Sequence, residues 1–520
     1  MGPGDSWLIM LGSAPRLMSP VDATFMLQSA QSTRDHLLVY INGERHAVSA
    51  ADAFLTLSDY LRLRLGQVGT KIVCSEGDCG ACSVLVGRID NEDGDDTKII
   101  YRAIDSCIQF MYQLDRAHIV SVEGLKRNGL LSPVQDAMVK CHGSQCGFCT
   151  PGFVVTMAGL LEDEGAKRKE ALTPDELRYG LTGNLCRCTG YVQIIDAGCS
   201  VDPGKTARIS ELYPDGPIVE ALDSHATDNV VINDDSGRKI ALPASLADAV
   251  TFKAAHPGCT VVAGATDIGV QHNKGKIAPK EILCLANVRE MKGIDQDDGT
   301  LTVGAGTTWT QVERAVKNAV PQFHDVLTVF GSPQIRNAGT IGGNIANASP
   351  IADSVPFLFV TEAELELTGP KGSRRVNIND FYLGYKEFDL REDELIARVH
   401  IPLPNEAQVL KLYKVSRRRD LDISTFTAAV LMGLDEADEI IKNIRIAYGG
   451  VGPVVHRLPK TEAFLTGKPF TEAVMRDAGA MARTEVKPIT DVRGGEDFRL
   501  QLCENILARF YFDCAQPEAV

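Results

Sequence analysis

No apolar run in this sequence comes near the roughly 18–20 residues that a membrane-crossing helix needs. The one apolar patch close to the N-terminus, WLIML at 7–11, is too short for a signal-peptide core and has no basic flank before it. A cytoplasmic location is therefore expected. Basic residues are in the minority: 53 Lys and Arg against 68 Asp and Glu, for a net charge of −15. No basic stripe interrupts this, so the electrostatic footprint of a nucleic-acid binder is missing. The longest basic run, Arg417-Arg418-Arg419, reads as a solvated turn. There is no internal repeat, which excludes a solenoid or propeller array.

What remains is a globular composition, 44 % hydrophobic and 23 % charged. Its 520 residues are enough for three or four domains. It is also rich in cysteine, with fourteen. A disulfide framework is not expected in a cytosolic chain of this size, so cysteines in tight local groups point to metal. Cys141, Cys199, Cys259, Cys284, Cys503 and Cys514 are scattered and read as small buried hydrophobes. The other cysteines form two groups.

The first group is Cys74, Cys79 and Cys82 with Cys107 downstream, in the spacing C-x4-C-x2-C…C. That spacing is the plant-type ferredoxin pattern. Three thiolates must converge on one side of a cluster, so the backbone has to wrap around it. Gly77 and Gly80 permit the left-handed turns this needs. The second group is Cys146 and Cys149 with Cys186 and Cys188. The Cys146–Cys149 pair precedes a helix start at Thr150-Pro151, where thiolates are electrostatically favoured. By spacing alone, C-x2-C with C-x-C is compatible with zinc as well.

Along the chain, residues 1–33 lack a period and read as a loose extension. An apolar run into Asn42-Gly43 predicts a hairpin, followed by a helix from Thr56 to Leu65 and strands at 83–86 and 99–101. The acidic stretch 92–96 reads as a solvated turn. Ser132-Pro133 with Gln135, Thr150-Pro151, and Thr173-Pro174 with Glu176 predict three helix starts. Residues 206–238 read as a linker. Beyond it, Ser245 with Asp248 and Thr310 with Glu313 predict further helices, and strands are expected at 260–262, 282–285 and 301–305. A last α/β segment runs from about 410 to 514.

Two glycine-containing stretches suggest backbone close to a ligand: Val262-Ala263-Gly264-Ala265-Thr266-Asp267-Ile268 and Thr340-Ile341-Gly342-Gly343-Asn344. Neither is a G-x-G-x-x-G opening a helix, so a Rossmann site is not indicated. Taken singly, the first is also compatible with an ordinary strand–helix connection.

The stretches HGSQCGFCTPG (142–152) and LTGNLCRCTGY (181–191) resemble the iron–sulfur domains of the xanthine dehydrogenase, or molybdenum hydroxylase, family. Residues 330–356 and 414–423 resemble the FAD part of the same family, and the likeness covers about 36–510. The resemblance implies an α+β multidomain chain. A β-grasp ferredoxin domain (34–118) is followed by a four-helix [2Fe–2S] domain (119–205) and the linker (206–238). After these come an α/β FAD-binding domain of PCMH type (239–405) and a C-terminal α+β flavoprotein domain (406–518). Cys74, Cys79, Cys82 and Cys107 would hold one [2Fe–2S] cluster, and Cys146, Cys149, Cys186 and Cys188 the second. Gln145 matches a family glutamine that contacts the molybdopterin of the catalytic domain. The two glycine-containing stretches would cradle FAD. Phe330 would lie against the isoalloxazine, with Asp353, Ile396 and Lys414 making further contacts. Asp267 stands where relatives often carry Glu, and Leu421 where some carry an acidic residue.

The family's molybdopterin domain is not within the 520 residues, so the resemblance implies a separate catalytic subunit. Hydroxylation of hypoxanthine and xanthine would occur there, in a heterodimer that pairs further. Electrons would pass through the clusters to FAD and then to NAD+. The order ferredoxin, helical, FAD in one chain favours a xanthine dehydrogenase. The alternatives are an aldehyde or N-heterocycle oxidoreductase, or a non-catalytic protein with two zincs.

Overall fold

The computed structural model describes residues 32–90, 98–126, 128–162, 168–435 and 439–515. The acidic stretch 92–96 and residues 1–31 of the expected extension lie outside these residues.

Residues after the extension form a five-stranded sheet in the order Glu44–Val48, Leu37–Ile41, Ala117–Val120, Ser83–Asp90, Lys98–Asp105. The first hairpin turns at Asn42 and Gly43, both in the left-handed region at φ 50° and 83°, which is what a two-residue hairpin turn requires. Leu37–Ile41 also pairs in parallel with Ala117–Val120, closing the sheet around a helical turn packed by Leu57 and Leu61. That turn is an α-helix for only Leu57–Asp59 and widens to a π-helix over Tyr60–Arg64.

Four helices follow: Pro133–Lys140, Thr150–Glu162, Pro174–Gly180 and Val192–Ser200. Ser132 with Gln135 and Thr173 with Glu176 form complete capping boxes, as their spacing predicts. The fourth helix has no such signal. Its cap is Tyr191 in the left-handed region at φ 72°, with no side-chain bond, so the residues before it carry no helix-start pattern.

Residues 206–238 are not a linker. They hold the helices Ile209–Leu212 and Asp215–Asp223 and the strand Asn229–Asn233. Ile218 and Leu222 are buried in the helical domain's core, and Glu162 accepts the Ile209 amide at 2.6 Å. Two apolar positions in so short a helix give no readable period. Residues 32 and 33 are likewise part of the fold. Thr33–Arg34 pairs in parallel with Asn229 and Val230, beside a buried Arg34 that bonds Asp115 at 2.8 Å and Asp228 at 3.0 Å.

The next sheet runs Thr33–Arg34, Asn229–Asn233, Lys239–Leu242, Glu281–Cys284, Thr260–Val262. Its Val230, Ile240 and Cys284 share one core with Leu37 and Val84 of the first sheet and with Phe110. A third five-stranded sheet, antiparallel throughout, runs from Ile294–Asp297 to Gly372–Asn377 and carries the helix Trp309–Ala319. That helix is capped by Thr308 with Gln311, not by Thr310 with Glu313. Thr310 lies inside it and donates to Asn337 at 2.7 Å. A four-stranded sheet packed by Glu472–Glu485 and Glu496–Ala515 completes the chain. No helix among the described residues is long and apolar enough to cross a membrane.

Candidate iron–sulfur and flavin sites

Cys74, Cys79 and Cys82 lie on the loop that leads into Ser83–Asp90, and Cys107 on the turn after Lys98–Asp105. The two strands pair over their whole length, which brings the loop and the turn to one end of the sheet. Ser75, Gly77 and Gly80 take φ of 57°, 75° and 62°, so the loop curls as a thiolate cradle must. Contacts run from thiol to thiol: Cys74 with Cys79 and Cys107, and Cys107 with Cys82. Cys74 is held well below the ordinary thiol range by hydrogen bonds from Cys107 and Cys79, and Cys107 is pushed up by its bonds to Cys74 and Cys82. Cys79, Cys82 and Cys107 are buried, and Cys74 is half-buried.

In the second set, Cys146 and Cys149 lie immediately before the helix Thr150–Glu162. Cys188 Sγ is 3.6 Å from Cys146 Sγ. Burial, then the bond with Cys186, pushes Cys149 up to about 12. Cys186 is fixed by its amide donating to Tyr191 Oη at 3.0 Å and by Thr189 Oγ1 at 3.2 Å. Cys146 and Cys188 face solvent together with Gln145 and the 53 %-exposed ring of Phe148. The structure thus brings both expected thiol quartets together. Among the described residues, no group of three or more His, Cys, Asp or Glu side chains is gathered as a single metal ion would need. Two-iron clusters spread their ligands over two metal atoms, and all-thiolate sets suit iron–sulfur chemistry.

The two quartets are joined directly. The Leu185 amide donates to Cys79 O at 2.9 Å, and Asn184 Nδ2 to Gly80 O at 3.2 Å. A Cβ on Gly80 would lie 2.3 Å from Gly183 O, and one on Gly152 would lie 2.0 Å from Gly80 O. A third party enters here: Gln334, on the short helix Pro333–Arg336, donates to Asn184 Oδ1 at 2.9 Å. Sequence reasoning missed the joining role of Asn184 and Gln334, because it depends on contacts between segments 150 residues apart.

The first glycine-containing stretch leaves the strand Thr260–Val262, turns through Ala265 at φ 56°, and enters the helix Thr266–Asn273. A Cβ on Gly264 would lie 2.2 Å from Ala338 O, so the two stretches abut. In the second, Thr340 caps the helix Ile341–Asn347 by accepting the Gly343 amide at 3.1 Å, and Gly342 packs on Ala305. Asp353 and Lys414 meet as a buried ion pair at 2.6 Å. Lys414 also donates to Val329 O, and Ser424 to Asp353. Phe330 stands edge-on to Trp309 at 5.0 Å, and Ile396 is buried in the adjoining sheet. A Cβ on Gly77 would lie 2.9 Å from Ile335 of the flavin segment, so the first thiol loop touches that segment as well.

Four domain families match the chain in order. Residues 39–107 match a "2Fe-2S iron-sulfur cluster binding domain" and 121–199 a "[2Fe-2S] binding domain". Residues 236–404 match an "FAD binding domain in molybdopterin dehydrogenase", and 411–514 a "CO dehydrogenase flavoprotein C-terminal domain". Fold and site together define an iron–sulfur flavoprotein. Xanthine dehydrogenase 1 of Arabidopsis thaliana is 30 % identical over 541 residues, which cover 91 % of this chain and 39 % of that protein. Xanthine dehydrogenase of Blastobotrys adeninivorans is 31 % identical, over 85 % of this chain and 38 % of that protein. A carbon monoxide dehydrogenase structure from Hydrogenophaga pseudoflava is 27 % identical with a TM-score of 0.50, over 52 % of this chain and 94 % of that one. The chain belongs to the molybdenum hydroxylase family, as its iron–sulfur and FAD-bearing part. It spans about two fifths of the length of the curated relatives it matches.

Proposed function

We propose that this chain is the electron-transfer part of a xanthine dehydrogenase. It would receive electrons from a molybdopterin-bearing partner that hydroxylates hypoxanthine and xanthine, and deliver them to NAD+. Two [2Fe–2S] clusters would supply one-electron transfer, and FAD the exchange between single electrons and hydride. Cys74, Cys79, Cys82 and Cys107 would hold one cluster, and Cys146, Cys149, Cys186 and Cys188 the other. The loops 262–268 and 340–344 would hold FAD, with Phe330 against the ring and Ile396 and the Asp353–Lys414 pair making further contacts. Gln145, exposed next to Cys146, would meet the partner.

The observation that carries this reading is the direct join between the two thiol loops and the flavin segment, through Leu185, Asn184 and Gln334. Such a join fixes the separation of three redox groups, and electron transfer depends on that separation. Two zinc sites would need no such join. The exposed edge at Cys146, Cys188 and Phe148 gives a partner access to the second set, so electrons would enter there.

The test is anaerobic purification followed by iron, sulfide and flavin analysis, and then reconstitution with a molybdopterin subunit. Two clusters and one FAD per chain, with NAD+ reduction driven by xanthine, are expected. A colourless, zinc-loaded protein would reject the relay. Turnover of an aldehyde or N-heterocycle in place of xanthine would keep the relay and change the substrate.

A further inference from the structure

Between the ferredoxin sheet and the flavin-binding part lies a cavity of about 460 Å³ for which electron transfer has no use. One wall is the strand pair Ser83–Asp90 and Lys98–Asp105, and the other is built from residues 285–293, the turns at 263–264 and 337–340, and the start of Trp309–Ala319. Arg88, Arg116 and Lys292 share this space, and among the described residues no aspartate or glutamate lines it. Among the described residues, Arg88 donates to the carbonyls of Gln113 and Asp115. Lys292 Nζ donates to Ala286 O at 2.6 Å. Arg116 Nε is buried with no partner.

Neighbouring charges do not compensate. Asp115 is taken up by Arg34, by Asn287 Nδ2 and by the Leu38 amide. Arg289, also on the lining, is bonded to Asp223. Burial, with repulsion from Arg88 and Arg116 next, presses Lys292 down to about 7. Burial, with repulsion from Arg289 and Arg88 outlasting the pull of Asp115, presses Arg116 to about 10.

We propose that this cavity binds a nucleoside phosphate. Guanidinium and ammonium donors match phosphate oxygens. On the same lining, Val86, Ile100, Ile104 and Leu285 offer apolar surface for a planar base, and the volume is that of a small-molecule site. The cavity shares Ala263, Gly264 and Thr340 with the loops proposed to hold FAD, and it meets the first of these loops from its carbonyl side. Gln109 and Gln113 donate to the carbonyls of Gly264 and Ala263, at 2.9 and 3.0 Å, so carbonyl oxygens of this turn meet the cavity's wall. A flavin pyrophosphate on the same turn needs its N–H groups, on another side.

The experiment is calorimetric titration of the FAD-loaded full-length chain with ADP, pyrophosphate and adenosine. ADP is expected to bind once per chain, more tightly than pyrophosphate or adenosine, and less tightly as salt rises. Lys292→Met and Arg116→Gln should each weaken ADP by about tenfold or more. Both variants should also raise the melting temperature of the ADP-free protein, because a buried repulsion is relieved. A merely structural role for these side chains would lower it. Absence of ADP binding, equal affinity for pyrophosphate, or binding only after FAD is stripped would each overturn the proposal. None of these readouts involves iron or turnover, so failure here leaves the electron-transfer reading standing.

Discussion

Gln334 Nε2 donates to Asn184 Oδ1 at 2.9 Å, and this bond is the point at which the flavin segment grips both thiol loops. Asn184 in turn holds Gly80 O of the first loop and lies two residues before Cys186 of the second. Gln334 is 1 % exposed. A buried amide that loses its partner forfeits about 1–3 kcal/mol. Gln334→Leu should therefore lower stability by that order and loosen the spacing of all three sites. Stopped-flow reduction of the flavin by the reconstituted partner should slow, while iron and FAD contents stay at the level of the unmodified protein. An unchanged flavin reduction rate would show that the contact is packing alone.

Cys149→Ser removes a thiolate from the second set but touches none of the first. The expected result is loss of one of two cluster signals in the electron paramagnetic resonance spectrum of reduced protein. The flavin should remain, and substrate-driven NAD+ reduction should stop. Full activity in this variant would overturn the assignment of Cys149 as a ligand.

The Asp353–Lys414 pair is nearly closed to solvent, with 8 % and 7 % side-chain exposure. Removing one member of such a pair strands the other charge, at a cost of about 3–5 kcal/mol. Lys414→Met should destabilise the flavin-binding part and release FAD, measured as the ratio of 450 nm to 280 nm absorbance. Both cluster signals should persist, since the helical part and one face of the first sheet share a core that includes no residue beyond Leu222. Simultaneous loss of FAD and both clusters would mean that the chain unfolds as one unit.

Local chemistry was legible wherever a short rule governs it. Asn42-Gly43 turned a hairpin, the Ser132 and Thr173 boxes started helices, and the cysteine spacings brought eight thiols into two sets. The four-domain order was legible from the family motifs. What stayed hidden depends on distant partners. Thr33–Arg34 is a strand only because Asn229 and Val230 lie beside it, and the helix holding Ile218 and Leu222 is too short to show a period. Val192–Ser200 starts from a left-handed tyrosine that no capping pattern announces. The grip of Gln334 on Asn184 and the basic cavity both arise where domains meet, and no local spacing encodes a meeting.

His118 is fully buried in the ferredoxin sheet, accepting the Gly43 amide at Nε2 (3.1 Å) and bonded through Nδ1 to Tyr101 Oη at 2.6 Å. Because Nε2 accepts, Nδ1 carries the proton and the ring is neutral. Burial holds its pKa down to about 4, below the ordinary 6.5. The unfolded chain binds the extra proton first, so stability falls as pH drops from 6.5 toward 4 and is fully present above that window. The difference corresponds to about 3 kcal/mol for a group so depressed. His118→Gln, which keeps an acceptor near the Gly43 amide, should be less stable at pH 7. It should also lose stability less steeply between pH 6.5 and 4, by urea denaturation at fixed ionic strength. Parallel curves for the two proteins across that window would show that His118 is protonated equally in the folded and unfolded chains, and that its burial exerts no hold on the imidazole.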